Sequence, residues 1–352
     1  MCLFSSFRIG PLELKNRIVL APMLTNYATE DMQVSDRHLH YYTERAHGGA
    51  ALLMVGCVAV NKERRVSQNA IGLFSDSLIP SLEKLVWSVH EKGGLLCVQL
   101  VDSLRMVGRK VHELSHPEIR QMINEFAAAA FRAKLAGCDA VEFHMAHSHT
   151  LADFLSRRGN QRTDEYGSNT SQRMKIAEEI LYETRCRVGA DYPISCRING
   201  DEFIVNGNTL KDAKFIAQRL TQCGVNMIHV SAGGRLEDGG RESYSRLRSW
   251  PLQNMPDATN VYLAEEIKLA VNAPIIAVGK ISQFDLAEGI LHSGKADLIA
   301  LGRPLLADPY LPRKWQRGEF EDVIPCTYCN YCVQKVGQRV PITCNQWSNE
   351  FV

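Results

Sequence analysis

Ala296-Asp297-Leu298-Ile299-Ala300-Leu301-Gly302-Arg303-Pro304 sets a short apolar run directly against a glycine and an arginine. A run such as Leu298–Leu301, with no polar alternation, is the pattern of a parallel strand buried on both faces. Working back from it, seven earlier runs read the same way: Arg17–Pro22, Ala51–Cys57, Leu95–Gln99, Ala140–His144, Ile194–Asn199, Met227–Ser231 and Pro274–Val278. Segments of helical period lie between most of them. The clearest opens on Ser115-His116-Pro117-Glu118, a capping box in which serine and glutamate satisfy each other's free amides. Ile119, Met122, Ile123, Phe126, Ala127 and Ala130 follow at the spacing of a one-sided helix. Thr209–Gly224 and Gln283–Ser293 behave similarly, the first stopping at a glycine suited to a C-cap.

Eight such strands alternating with helices predict an α/β fold, a (β/α)8 TIM barrel, whose working groups gather at the C-terminal strand ends. The rival, a doubly wound nucleotide-binding sheet, is expected to carry G-x-G-x-x-G after a strand. No G-x-G occurs anywhere in the chain. The expected division is a barrel over 1–311 and a cysteine-bearing C-terminal segment over 312–352, because Pro312–Gly318 is polar and leads into that segment.

The 352 residues carry a net charge of +1, with 22% charged side chains, so no basic field points to nucleic acid or anionic lipid. No apolar run approaches the roughly 18 residues that read as a membrane span. Met1–Gly10 lacks the apolar core of an export signal. Cys2, Cys57, Cys97, Cys138, Cys186, Cys196 and Cys223 are scattered without pattern. Free thiols in such numbers fit a reducing compartment, and a cytoplasmic location is the expectation.

Cys326, Cys329, Cys332 and Cys344 are patterned, as C-x2-C-x2-C-x11-C. Three thiols in one tight loop can reach three corners of a cubane, with the fourth arriving from further on. A structural zinc site is the plainer alternative, yet zinc usually takes two separated C-x2-C pairs. A disulfide framework belongs to small oxidised domains and fits this chain least. An iron–sulfur cluster is therefore expected, with single electrons arriving near a site of two-electron chemistry.

Polar residues near the predicted strand ends are the candidates for that site. Gln99 offers a donor and an acceptor, although a lone strand glutamine is more often structural. Arg197 in a barrel interior calls for an anionic partner, since an unpaired buried guanidinium is costly. Gly279-Lys280 and Gly302-Arg303 follow the seventh and eighth strands, where barrels of this kind commonly bind phosphate. Glycine admits the backbone to the phosphate, while lysine and arginine bring charge. Phosphate clamp, polar amide and buried cation together describe a seat for flavin mononucleotide, FMN, whose N1/C2=O edge a positive group stabilises in the reduced form. His144, His147 and His149 cluster after the fourth strand. They read either as metal ligands or as substrate-binding groups, and only Glu142 stands near as a carboxylate.

From Phe4 to about Asn345 the chain resembles the old yellow enzyme superfamily, on its branch with 2,4-dienoyl-CoA reductase and trimethylamine dehydrogenase. The resemblance rests on Asn16-Arg17-Ile18-Val19-Leu20-Ala21-Pro22-Met23, on Phe154-Leu155-Ser156 with Asn160-Gln161-Arg162-Thr163-Asp164-Glu165-Tyr166-Gly167, on Ala296–Pro309, and on the cysteine quartet, all in order. It implies an FMN-dependent barrel reductase carrying a [4Fe-4S] cluster on Cys326, Cys329, Cys332 and Cys344. Pro22, Met23, Leu24 and Cys57 would line the flavin's edge. Gln99 would bond the pyrimidine ring and Arg197 would sit by N1 and O2. Gly279, Lys280, Gly302 and Arg303 would hold the phosphate. His144 and His147 match the pair that grips the carbonyl oxygen of an activated alkene.

The chain departs from that pattern in two ways. Where many relatives place a proton-donating tyrosine, two residues after the pair, this sequence has His149. The donor is left open among His149, His147 and Tyr27. Long members continue past the last cysteine into flavin- and nicotinamide-binding domains, whereas this sequence reaches Val352 without a dinucleotide fingerprint. Electrons are expected from a separate NAD(P)H/FAD reductase subunit or a ferredoxin, from NAD(P)H directly, or from the remainder of a longer parent. The expected reaction is reduction of a C=C bond conjugated to a carbonyl or thioester, in an enone or enoyl thioester. The alternatives are an amine dehydrogenase and an electron-transfer flavoprotein subunit. Arg162, Asp164 and Tyr166 read as pins of a rim loop. Cys57 and Cys97 read as buried hydrophobes. Asp102–Met106 and Arg235–Trp250 are expected to shape the pocket.

Overall fold

The computed structural model describes residues 2–234 and 243–347; the 235–242 part of the expected pocket loop lies outside the described residues. A hairpin, β1 (Phe7–Ile9) and β2 (Leu12–Leu14), precedes the barrel. The barrel strands are β3 (Ile18–Leu20), β4 (Leu52–Ala59), β5 (Leu95–Val101), β6 (Ala140–Met145), β7 (Ile194–Asn199), β8 (Met227–Ser231), β9 (Ile275–Val278) and β10 (Leu298–Leu301). All eight pair in parallel, and β10 closes against β3. The expected TIM barrel is thus the observed fold, with strand ends shifted by a few residues: β3 drops Arg17, Ala21 and Pro22, and β4 runs two residues past Cys57.

Helices α1 (Asp36–His47), α2 (Ile79–His90), α3 (His116–Leu135), α4 (Thr150–Leu155) and α5 (Thr170–Val188) cover the first half of the barrel. The capping box at Ser115 and Glu118 opens α3 as its sequence requires. The second half carries α6 (Leu210–Gln222), α7 (Tyr244–Ser249), α8 (Val261–Lys268), α9 (Phe284–His292) and α10 (Arg303–Ala307).

The barrel interior is graded. At its floor, Val19, Met54, Cys97, Met227 and Ile276 pack with Ile9, Leu12 and Leu14 of the hairpin, which plugs the open end. One level up, polar side chains take over: Gln99 pairs in register with Glu142, Glu142 with Ser195, and Arg197 with His229. That change from apolar floor to polar layer places the chemistry at the C-terminal end of the strands.

Pro312–Gly318, expected as a polar lead-in, is mostly helix: α11 (Leu311–Arg317) buries Leu311, Pro312 and Trp315 and ends on Gly318 in the left-handed conformation. The stretch is amphipathic, and its apolar positions sit inside. Beyond it, α12 (Tyr331–Gly337) and the following strap lie back over the barrel mouth. Ile342 N–H donates to Thr25 O (3.0 Å), Asn26 Nδ2 to Val340 O (3.1 Å) and Trp347 Nε1 to Leu306 O (2.8 Å).

Candidate active site

A cavity of about 290 Å3 opens at the C-terminal ends of the strands. Pro22, Met23, Leu24, Cys57, Gln99 and Arg197 line it, as do Gly279, Lys280, Gly302 and Arg303. The three histidines line it too, and Cys332, Val333, Val336 and Ile342 of the C-terminal strap complete the wall. Seventeen of the eighteen residues singled out in the sequence therefore line either this cavity or the thiol cavity described below.

Tyr27 is the exception. Its hydroxyl donates to Ile342 O at 2.6 Å and its ring packs edge-on against His38 and Tyr41. Burial raises its pKa. It fastens the strap and does not face the cavity, so it is removed from the candidate proton donors.

Around the rim several non-glycine residues sit at positive φ: Cys57 (58°), His147 (59°), Ser148 (58°) and Lys280 (55°). Cys57 sits at the register irregularity between Val55 and Val58 of β4, and the other three lie just beyond strand ends, where strain of this kind concentrates at working sites. The consecutive pair at His147 and Ser148 turns the chain sharply after β6. Gly234 presses on that turn, and a Cβ there would stand 2.6 Å from His147 Cα.

The polar layer is a single hydrogen-bonded network. Glu142 is fully buried, accepting from Gln99 Nε2 (2.8 Å), Ser195 Oγ (2.9 Å) and His229 Nδ1 (3.1 Å). The expected anionic partner of Arg197 is this carboxylate, which acts on it through charge. Arg197 Nη2 donates to Ser231 Oγ (3.5 Å), and Ser231 Oγ lies 2.7 Å from His147 Nε2. Arginine has no acceptor. Ser231 accepts from Arg197 and can give its own proton to His147 Nε2, an arrangement that leaves the imidazole proton on Nδ1. His147 Nδ1 faces His144 Nε2 at 3.4 Å, so the two ring edges meet at one point of the cavity wall. Glu142, Ser231 and His229 were not among the site residues read from sequence; their periodicity marks them only as strand positions.

All three histidines are neutral at pH 7. Burial, then neighbouring histidines and Arg197, hold His144 well below its ordinary pKa, and His147 is depressed in the same way by burial and Arg197. His149 is lowered to about 4 by burial, Arg105 and Arg197. His149 can therefore donate a hydrogen bond but carries no extra proton to give. His38, in α1, is lowered to about 3. Depressed histidine pKa values mean that the unfolded chain binds protons the native chain refuses, so stability rises with pH. Thermal unfolding should therefore show a Tm that is flat above about pH 7. It should fall steadily from about pH 6.5 towards 4, and melts in matched buffers check this.

The phosphate end differs from expectation in one side chain. Lys280 Nζ donates to Gln253 O (2.7 Å) and to Met255 O and pairs with Asp257 (3.3 Å). Its charge is therefore committed to the rim. Gly279 stands at φ 129°, where a Cβ would meet Asn260 Nδ2 at 2.9 Å. Arg303 is the cation left to face a phosphate. It is half-buried, donating to Pro251 O (2.7 Å) and Asn330 Oδ1 (2.5 Å) and lying over the Tyr328 ring at 4.7 Å. A buried unpartnered Arg197 Nε, the amide of Gln99 and this Arg303 end fit an FMN in the cavity.

The four patterned cysteines surround a second, small cavity together with Arg303, Leu306 and Asn330. Tyr328 (φ 54°) and Asn330 (φ 58°) curl the loop so that Cys326, Cys329 and Cys332 converge. Among the described residues, no three of these sulfurs fall within 4.8 Å of one another. Tetrahedral zinc, with Zn–S near 2.3 Å, would bring them to about 3.8 Å. Three thiols in one tight loop with a fourth from further on form a donor set that fits a multi-iron cluster. Arg303, Leu306 and Cys332 line both cavities, so the two seats share a wall. Cys57, by contrast, is inert: burial pushes its thiol up to about 12.

A parallel barrel whose strand-end cavity is lined by Gln99, Arg197 and Arg303 points to an oxidoreductase of the flavin-dependent class. The chain belongs to the NADH:flavin oxidoreductase / NADH oxidase family, which it matches over residues 2–107 and 102–321. It is 36% identical to an NADH oxidase of Thermoanaerobacter brockii, over 96% of this chain and 54% of that protein. It is 28% identical to an N,N-dimethylglycine/sarcosine dehydrogenase of Chromohalobacter salexigens, over 98% of this chain and 52% of the other. Among solved structures, a 2-naphthoyl-CoA reductase in complex with 2-naphthoyl-CoA superposes with a TM-score of 0.90 at 26% identity, covering 98% of this chain and 57% of that one. The chain thus spans about half the length of these relatives. No helix among the described residues is long and apolar enough to cross a membrane.

Proposed function

We propose that this chain is an FMN- and [4Fe-4S]-dependent ene-reductase unit, residues 1–311 holding the flavin and 312–352 the cluster, that reduces a C=C bond conjugated to a carbonyl or thioester. NAD(P)H is the ultimate electron source, reaching the cluster through a partner. A flavin in the seat supplies hydride equivalents, and a cluster at the thiols supplies single electrons. The reading is carried by the paired N–H groups of His144 Nε2 and His147 Nδ1. Neutral donors at these two nitrogens, that of His147 steadied by Ser231, stabilise negative charge as it develops on a carbonyl oxygen, without reorganising at that moment. Arg197, joined to the same serine, adds positive charge beneath. The α-carbon then takes a proton from water.

The amine dehydrogenase reading, which the name of one relative carries, meets an unfavourable lining. Arg105, Arg197, Arg246, Lys280 and Arg303 border the cavity, and no carboxylate does among the described residues. A cationic amine calls for an aromatic cage or an acid. Trp250 and Tyr328 are the aromatic side chains present, histidines aside.

His144→Ala with His147→Ala should lower enone turnover by about 10³-fold while flavin stays bound, one lost donor being worth about 10²–10³. Ser231→Ala, which frees the His147 tautomer, should cost about tenfold in kcat and little in KM. Anaerobic stopped-flow reoxidation of the reduced flavin by a cyclic enone measures all three. Unchanged turnover in the double variant would sink the reading.

A further inference from the structure

Glu142 is the one carboxylate in the polar layer beneath the cavity, and each of its bonds has a consequence for the group above. The reasoning rests on the flavin seat proposed for this cavity. Because a carboxylate only accepts, Gln99 must turn its NH2 towards Glu142 Oε1 (2.8 Å). The carbonyl oxygen of Gln99 is thereby left as the atom presented to the cavity it lines. Oε2 of Glu142 is held by Ser195 (2.9 Å) and by Nδ1 of the buried, neutral His229 (3.1 Å). The carboxylate is held through both oxygens and so fixed in place. It is also the carboxylate that acts on Arg197, the cation of the same layer.

We propose that Glu142 is a positioning residue for the flavin. It aims the Gln99 carbonyl at the N3–H of the pyrimidine ring, and it balances part of the Arg197 charge felt at the N1/C2=O edge. The first action makes the seat selective for a ring that carries a proton on N3. The second holds the flavin's midpoint potential below what an uncompensated Arg197 would set. No atom of Glu142 has to touch the flavin for either effect.

Two probes separate these actions from simple structural support. Wild-type chain, stripped of flavin, should bind FMN methylated at N3 at least tenfold more weakly than FMN, because the methyl group removes the donor that the Gln99 oxygen needs. In Glu142→Gln, which keeps the shape and removes the charge, the reduced-to-oxidised ratio of bound FMN at a fixed ambient potential should rise at least tenfold, about 30 mV for a two-electron couple. Glu142→Asp keeps the charge but shortens the reach, so its potential should stay near wild type while discrimination against the N3-methyl probe is lost. A merely structural glutamate would lower Tm and flavin content without moving the potential of the flavin that binds.

Equal affinity of the wild-type chain for both flavins, or a Glu142→Gln potential equal to wild type, overturns the proposal. The methyl-probe comparison needs no variant, so it decides the matter even if Glu142→Gln fails to fold. Failure of the wild-type chain to bind FMN at all is a separate result, and it removes the flavin seat itself.

Discussion

Arg303→Ala should weaken FMN binding by about 100-fold, the largest effect expected from any single change in the flavin seat. Hydrogen bonds to a charged group are worth about 1.5–3 kcal/mol each, and a guanidinium can offer a phosphate two at once. Lys280 is committed to the Gln253 and Met255 carbonyls and to Asp257, so it is poorly placed to replace the lost fork. Arg303→Lys should recover part of the charge but not the fork, leaving affinity about tenfold below wild type. Quenching of free FMN fluorescence on titration with the apo chain reads both. The same arginine donates to Asn330 in the cysteine loop, so the alanine variant should also bind iron less completely. An unchanged FMN affinity in Arg303→Ala would mean that phosphate is held elsewhere.

The strands and the main helices were legible because burial on both faces and helical period leave marks in local sequence. Gly279, Gly302 and Arg303 were legible for a related reason: they sit where a barrel's last two strands end, and position in the fold assigns them a task. What local sequence does not encode is the partner of a side chain. Lys280 has the right position for a phosphate, yet rim carbonyls some 25 residues upstream take its ammonium. Tyr27 follows the first strand end as a catalytic tyrosine might, yet its hydroxyl finds Ile342, 315 residues away. Glu142, His229 and Ser231 look like ordinary strand residues, and their meaning emerges only when β5 to β8 are set side by side. The hairpin at Phe7–Leu14 was overlooked because its strands are three residues each, too short to show a period.

Cys332→Ala should remove the cluster altogether. The wild-type chain, purified without oxygen, is expected to carry about four irons and four sulfides; the variant should carry fewer than about one of each. Loss of one thiolate leaves a cluster with an exposed iron, and among the residues lining this site the polar neighbours Arg303, Thr327, Asn330, Tyr331 and Asn345 include no thiolate, imidazole or carboxylate to replace it. The effect on chemistry should be selective. Flavin reduced directly with dithionite should still pass its electrons to an enone, because His144, His147 and Arg197 are untouched. Turnover driven by an external one-electron donor should collapse by about 10³-fold or more, since Cys332 is the thiol that lines both cavities. Val333 and Val336 on the same helix form part of the flavin wall, so FMN affinity should also fall, by roughly threefold to tenfold, as that helix loosens. Cys138→Ser, at a buried thiol remote from both cavities, serves as the control and should leave iron content intact. Stoichiometric zinc in the wild-type chain, or donor-driven turnover that survives in Cys332→Ala, would show that the thiols hold the strap in place and carry no electrons.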